Sequence, residues 1–246
     1  MDIKETPDHE FIDIHIERRR VIWIIALVLV FSLVLIVLTV EKVRELAERI
    51  VSPVEYIEPV PEPVPDVLDP DVPLIYKIKG YTAATAIAFE KFLDEGDHRA
   101  HFEKLEHFLE INEVAEVVPP YELMRQGTDW QKIGEPPFAI PPEENWETMV
   151  DTLKVLRDYI IPAIGPVHVL SGWRTSSYNA KAGGARTSKH MHFCGLDMIP
   201  EDEYTRKQLL PKLRRIHRKF GRKWNMGLGI YSGIRFHVDT CGYRRW

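Results

Sequence analysis

The sequence predicts an α+β domain, with helices segregated from a mostly antiparallel sheet, preceded by one transmembrane helix. Three observations predict it. Apolar residues recur at helical spacing over residues 102–111 and again over 146–160. "GPVHVLSGW" and "CGLDMI" are apolar runs of strand length. "MGLGIYSGIRFHVDT" reads as two strands doubling back around Ser232-Gly233.

Residues 1–20 end in Arg18-Arg19-Arg20, and Val21–Val40 then runs twenty residues without a charge, glycine or proline. At helical rise this is about 30 Å, the hydrocarbon thickness of a bilayer. A cleaved signal peptide would carry a shorter apolar core of about 7–15 residues and a small-residue cleavage site. Here Glu41-Lys42-Val43-Arg44 follows instead. The arginine triplet outweighs the mixed charges beyond Val40, which predicts a cytoplasmic N-terminus. The chain is therefore expected to be single-pass in the inner (cytoplasmic) membrane, contacting lipid through one helix, with everything after Val40 outside the cytoplasm.

Residues 41–75 form a juxtamembrane segment and linker. Its Pro53–Pro73 stretch holds seven prolines and six acidic residues. That composition favours extended polyproline II with a reach of about 60 Å. A helical segment is expected over 76–120, centred on 84–118, with Phe102, Leu105 and Leu109 as its stripe and Phe108 and Ile111 widening it. His98, His101 and His107 lie among Arg99, Glu103 and Glu106 and read as a solvated face rather than a metal site. Within 121–246, a helix from Trp146 places Met149, Val150, Leu153, Leu156 and Ile160 on one side, with Asn145 as its expected N-cap. Another is expected from Glu203 to Phe220, kinked at Pro211.

The net charge of -5 hides an asymmetry. Residues 1–120 hold 12 Lys and Arg against 24 Asp and Glu, whereas residues 121–246 hold 20 against 13. The basic residues of the second half are scattered along the sequence rather than forming one stripe, so no nucleic-acid partner is expected. An acidic substrate suits the same charge.

The chemistry lies in three blocks: "SGWRTSSYNAKAGGAR", "SKHMHFCGLDM" and "RFHVDTCGYRRW". Each is weak by itself. Their order is informative: a histidine (His190), an aspartate seven residues later (Asp197), then His-x-Asp (His237, Asp239) on the last strand. Two imidazoles and one carboxylate leave a fourth zinc position open, which is the hydrolytic arrangement.

Residues 121–246 resemble the zinc D-alanyl-D-alanine peptidases, which share a fold with the hedgehog signalling domain, and are most similar to the murein endopeptidase K branch. "SGWR" followed by "YN", "SKHM" followed by Asp197, and "FHVDT…RRW" carry the resemblance. It implies a Zn2+ ion held by His190, Asp197 and His237, and peptide stems of peptidoglycan as substrate. Which bond is cut, by endopeptidase or carboxypeptidase action, stays open. A non-catalytic peptidoglycan-binding module is the alternative, against which the intact ligand set argues. Where the family usually has Gly and Ala after the first histidine, this chain has Phe193 and Gly195. Where many relatives carry a catalytic carboxylate, it has Ile234, as the murein endopeptidase K branch also lacks that group.

Asp239 is the first candidate for general base, since residues two apart on a strand share a face. An acceptor that orients the His237 imidazole is the other reading. Arg174 would serve the developing oxyanion or a substrate carboxylate, or form a structural salt bridge. Ser188 would bind substrate or cap the turn. His192 is a neighbour rather than a ligand. The two cysteines, Cys194 and Cys241, each lie four residues after a candidate ligand. If the blocks meet at one zinc, the segments that follow run close enough to be bridged, and the expected compartment is oxidising. Two free thiols facing apart are the alternative.

Overall fold

The computed structural model describes residues 73–246, together with 27, 29, 31–33 and 35–42. The latter are helical, and their apolar side chains, Leu27, Leu29 and Phe31 among them, are exposed. Among the described residues no helix is long and apolar enough to cross a membrane. The expected span Val21–Val40 lies partly outside the described residues, as do residues 1–20 and nearly all of Pro53–Pro73. The chain divides into two compact units, and residues 73–246 all belong to the second.

This unit opens with a hairpin where a helical segment was expected. Strands β1 (Ile75–Ile78) and β2 (Tyr81–Ala84) pair antiparallel. Lys79 and Gly80 turn the chain with φ of 46° and 86°, the left-handed pair that a two-residue hairpin needs. The expected helix is two helices, α1 (Ala86–Leu93) and α2 (His98–Ile111). They part at Gly96, whose φ of 58° ends regular helix at little cost for glycine. Their apolar faces meet through Phe89 and Phe102, edge to face at 4.7 Å.

Buried Arg125 joins this layer to the rest. It pairs with Glu122 at 2.8 Å, donates to the Val169 carbonyl at 2.8 Å and holds the Ala84 carbonyl of β2 through two nitrogens. Glu122 also accepts the Val169 N–H at 2.7 Å. A buried pair of this kind is stable only when its remaining donors and acceptors are engaged, as they are here.

Short helices α3 (Pro120–Leu123) and α4 (Trp130–Ile133) lead to α5 (Glu147–Val155). Asn145 is not its cap. It ends a 3-10 turn, and Trp146 occupies the cap position without a side-chain bond. From α5 the chain continues through a π turn, Leu156–Ile160, into α6 (Ile161–Ile164). Pro162 lacks an N–H and its ring crowds the carbonyl four residues back, so a wider turn relieves the clash.

The remaining elements are β3 (Val167–Ser171), α7 (Ser176–Lys181), β4 (Gly195–Pro200), α8 (Arg206–Phe220), β5 (Gly227–Ile230), β6 (Phe236–Asp239) and β7 (Arg244–Arg245). The five strands order as β3-β4-β6-β5-β7, antiparallel except for the parallel pair β5 and β7. This is the α+β arrangement with a mostly antiparallel sheet that the pattern predicts. Leu196, Met198, Leu228, Phe236 and Val238 share one core with Leu209, Leu213 and Ile216 of α8. Thr205 and Gln208 form a reciprocal capping box at the start of α8. The helix runs on through Pro211, which is exposed. Basic residues that look scattered in the sequence gather on its solvent face.

Candidate metal centre

Side chains alternate along a strand, so if Leu196 and Val238 enter the core, Asp197 and His237 project from the opposite face. Strand register then sets a row across that face: Ser171 beside Asp197, Asp197 beside His237, His237 beside Gly229. Pairing of β4 with β6 joins two residues forty apart in sequence.

His190 arrives from a 3-10 turn, Lys189–His192. Phe193 reverses the chain into β4 with φ of 47°. The Phe193 N–H donates to the His190 carbonyl, and the Cys194 N–H to that of Lys189. A left-handed phenylalanine is uncommon; here its ring is fully buried and lies edge-on to Trp173, so packing holds the conformation that glycine adopts freely. Gly195 has a different reason. A Cβ there would lie 2.6 Å from His237 Cε1, so alanine would displace the imidazole.

One ligand atom from each of His190, Asp197 and His237 lies within 4.8 Å of the others, and all three residues are buried. His190 Nδ1 donates to the Gly172 carbonyl at 2.8 Å. That leaves Nε2 facing Asp197 Oδ2 at 3.4 Å, buried and without a hydrogen-bond partner. His237 Nε2 donates to Asp239 Oδ2 at 3.0 Å, and its Nδ1 lies 2.9 Å from Asp197 Oδ1. Each ring is thus anchored on its far side and turns its other nitrogen toward Asp197. Such outer hydrogen bonds fix the tautomer of a metal-binding histidine. An orphaned buried nitrogen beside a carboxylate costs free energy unless a cation completes it. The donor set fits a metal ion, and two nitrogens with one oxygen suit zinc.

Burial lowers the pKa of His190 to about 4 despite Asp197 nearby, so its Nε2 is free of protons at neutral pH. Burial also works downward on His237, but its hydrogen bonds to Asp197 and Asp239 prevail and raise it. For Asp197 burial works upward and is overcome by His190 and His237, which hold the carboxyl well below its usual range.

Asp197 is further gripped by Arg174 Nη2 at 3.1 Å, Arg235 Nη2 at 2.6 Å and the Tyr231 hydroxyl at 3.2 Å. Arg174 is fixed in turn: its Nε donates to the Gln126 carbonyl at 2.8 Å and to Ser171 Oγ at 2.9 Å. Arg235 and Tyr231 escape the sequence reading, although the spacing Arg235, His237, Asp239 marks one strand face. Gln126 carries no local signal, since it reaches Arg174 and Thr175 from 48 and 49 residues away.

Asp239 has both oxygens occupied. Oδ2 accepts from His237 and from Arg244 Nη2, while Oδ1 accepts from the Cys241 N–H and Arg244 Nη1. Gly227 makes room for it, since a Cβ there would lie 2.2 Å from Oδ2. Ser188 precedes the 3-10 turn, its side chain makes no capping bond, and it lines the cleft over the metal centre with Arg174, Lys189, Tyr231, Arg244 and Trp246. His192 is not in the ligand cluster. His98 stacks on Phe92, while His101 and His107 sit beside Asp97 and Glu110 near the surface. Cys194 and Cys241 are joined in a disulfide.

A mostly antiparallel sheet bearing a buried His-Asp-His cluster on its open face defines a domain able to hold a single metal ion. The chain belongs to the peptidase M15 family, whose sequence model matches residues 114–238, just over half of its 246 residues. Family membership points to a metallopeptidase. No curated protein and no solved structure matches the chain.

Proposed function

We propose that the protein is a zinc metallopeptidase, anchored in the cytoplasmic membrane by Val21–Val40, that hydrolyses peptide bonds in peptidoglycan stems or cross-links and is most similar to the murein endopeptidase K branch. The observation that carries this reading is the buried cluster of His190, Asp197 and His237 within a peptidase M15 domain. A zinc ion held by these three residues would supply Lewis acidity to a carbonyl and a more acidic water. The cleft lining supports an acidic peptide substrate. Arg174, Lys189 and Arg244 border it, and none of its lining residues is an aspartate or glutamate. Exposed apolar helix in the described part of Val21–Val40 supports the anchor. Digestion of purified cross-linked muropeptides by the zinc-loaded chain, with products weighed by mass spectrometry, tests it. Intact muropeptides after prolonged incubation with fully loaded protein would overturn it.

In this reading Arg174 lies beside the reacting carbonyl, with Gln126 and Ser171 setting its angle. Arg174→Ala should cost ~2–4 kcal/mol in turnover if the guanidinium serves the oxyanion, with zinc content unchanged. Ser188, its hydroxyl uncommitted to the turn, contacts the substrate backbone. Asp239 orients His237 rather than accepting the water's proton, because its oxygens are already engaged. Asp239→Asn should weaken zinc binding by about 10–100-fold while zinc-saturated protein keeps most of its rate. A collapse of at least about a hundredfold at full zinc occupancy would restore Asp239 as base.

A further inference from the structure

Nine lysines and arginines lie between positions 206 and 223, and no aspartate or glutamate occurs between Glu203 and Asp239. All nine are exposed. On α8 the buried residues Leu209, Leu213, Ile216 and His217 occupy one side. Helical spacing distributes Lys207, Lys212, Arg214, Arg215, Arg218 and Lys219 over the remainder. None of these six takes part in an ion pair among the described residues. So strong a face of one sign, in a chain of net charge -5, attracts an extended anionic surface. Its direction also matters. Leu209, Leu213 and Ile216 share a core with Leu196 and Val238, which alternate along their strands with Asp197 and His237. The basic face therefore points away from the metal centre.

We infer that the outer face of α8 docks the domain on an anionic phospholipid bilayer, so that the metal cleft faces away from the membrane. This rests on the anchoring proposed above. Charge complementarity favours phosphodiester headgroups. The groove beside the helix, lined by Lys212, Arg215 and Lys219, also carries the Asp158 carboxylate, which opposes a polyanionic strand. Its aromatics Tyr159 and Phe220 stack on each other rather than standing free for bases. Half-buried Phe220 and Trp224 lie beneath Lys219 and Lys223, the amphipathic pairing suited to a bilayer interface.

The test uses the full chain in nanodiscs of phosphatidylcholine, with or without about a third phosphatidylglycerol. Amine-reactive labelling is read residue by residue by mass spectrometry. In the anionic discs Lys207 and Lys219 should label at least about threefold more slowly, while Lys189 in the cleft labels equally in both. The protection should vanish in about 1 M salt, where screening acts over about 3 Å, and in the triple variant Arg214→Gln, Arg215→Gln, Arg218→Gln. Muropeptide hydrolysis in solution by that variant should be unchanged. Equal labelling in the two discs, or protection that survives in the triple variant, would overturn the inference. So would a single-stranded oligonucleotide that protects the same lysines better than anionic discs do. Resistance to alkaline carbonate extraction reads the anchor separately. A chain that fails it is mixed with free vesicles of the same two compositions, where the same lysines report docking.

Discussion

His237→Ala should give a folded domain that neither retains zinc nor cleaves peptide bonds, while Asp197 keeps its contacts to both arginines. The reason is geometric. His237 is the member of the cluster tied on both nitrogens, to Asp197 at 2.9 Å and to Asp239 at 3.0 Å. In the metal-free protein these hydrogen bonds hold its pKa above the ordinary histidine value, and below that raised pKa a proton sits on Nδ1 beside Asp197. A metal ion must displace that proton, because ligand imidazoles bind in the neutral form. Zinc affinity should therefore rise with pH up to the raised pKa of His237 and level off above it. His190 adds no such dependence there: with its pKa lowered to about 4 it has no proton left to release. Calorimetry in buffers of different ionisation enthalpy should count close to one proton released per zinc below the pKa of His237. Full zinc occupancy in His237→Ala, or affinity independent of pH in the parent, would remove His237 from the ligand set.

How much of this was legible in the sequence depends on the range of the contacts. β3, β4 and the pair β5–β6 follow from apolar runs and from Ser232-Gly233, because strand burial and turn chemistry are local. The candidate ligand trio is legible as residue types in order, although only the register of β4 with β6 brings Asp197 and His237 side by side. The hairpin Ile75–Ala84 is not legible. Its strands are four residues each, and what holds them is Arg125, bonded to Ala84 from 41 residues away. The break at Gly96 is a local glycine signal outweighed by the apolar stripe on either side. The displaced N-cap at Asn145 reflects Pro141 and Pro142, which favour a 3-10 turn before the helix settles. Asp239 shows a subtler limit. Placing it on the face of His237 is right, but the sequence does not reveal that Arg244 and the Cys241 N–H already fill its oxygens.

Removing the disulfide should produce the largest change in stability, and it should reach the metal through Asp239. Cys194 stands immediately before β4 and Cys241 two residues after β6, the strands that carry Asp197 and His237. Their separation of 47 residues gives about 4 kcal/mol of stabilisation in the chain-entropy account. The same cross-link holds the Cys241 N–H on Asp239 Oδ1 at 3.0 Å, and Asp239 sets the His237 ring. Cys194 is locked from the other side, its carbonyl accepting from the Thr152 hydroxyl at 2.8 Å. In Cys194→Ser with Cys241→Ser, denaturant unfolding under chelator should show a loss of about 4 kcal/mol. For a domain of this size that corresponds to a fall of roughly 8–16 °C in Tm. All three ligands remain, so saturating zinc should still bind. Its affinity should drop by about the 10–100-fold typical of a lost outer contact. Chelator separates the two effects, because zinc adds stability to any variant that binds it only in the folded state. Unfolding midpoints equal to the parent's would mean that β4 and β6 need no cross-link. Unchanged zinc affinity would mean that Arg244 alone keeps Asp239 in place.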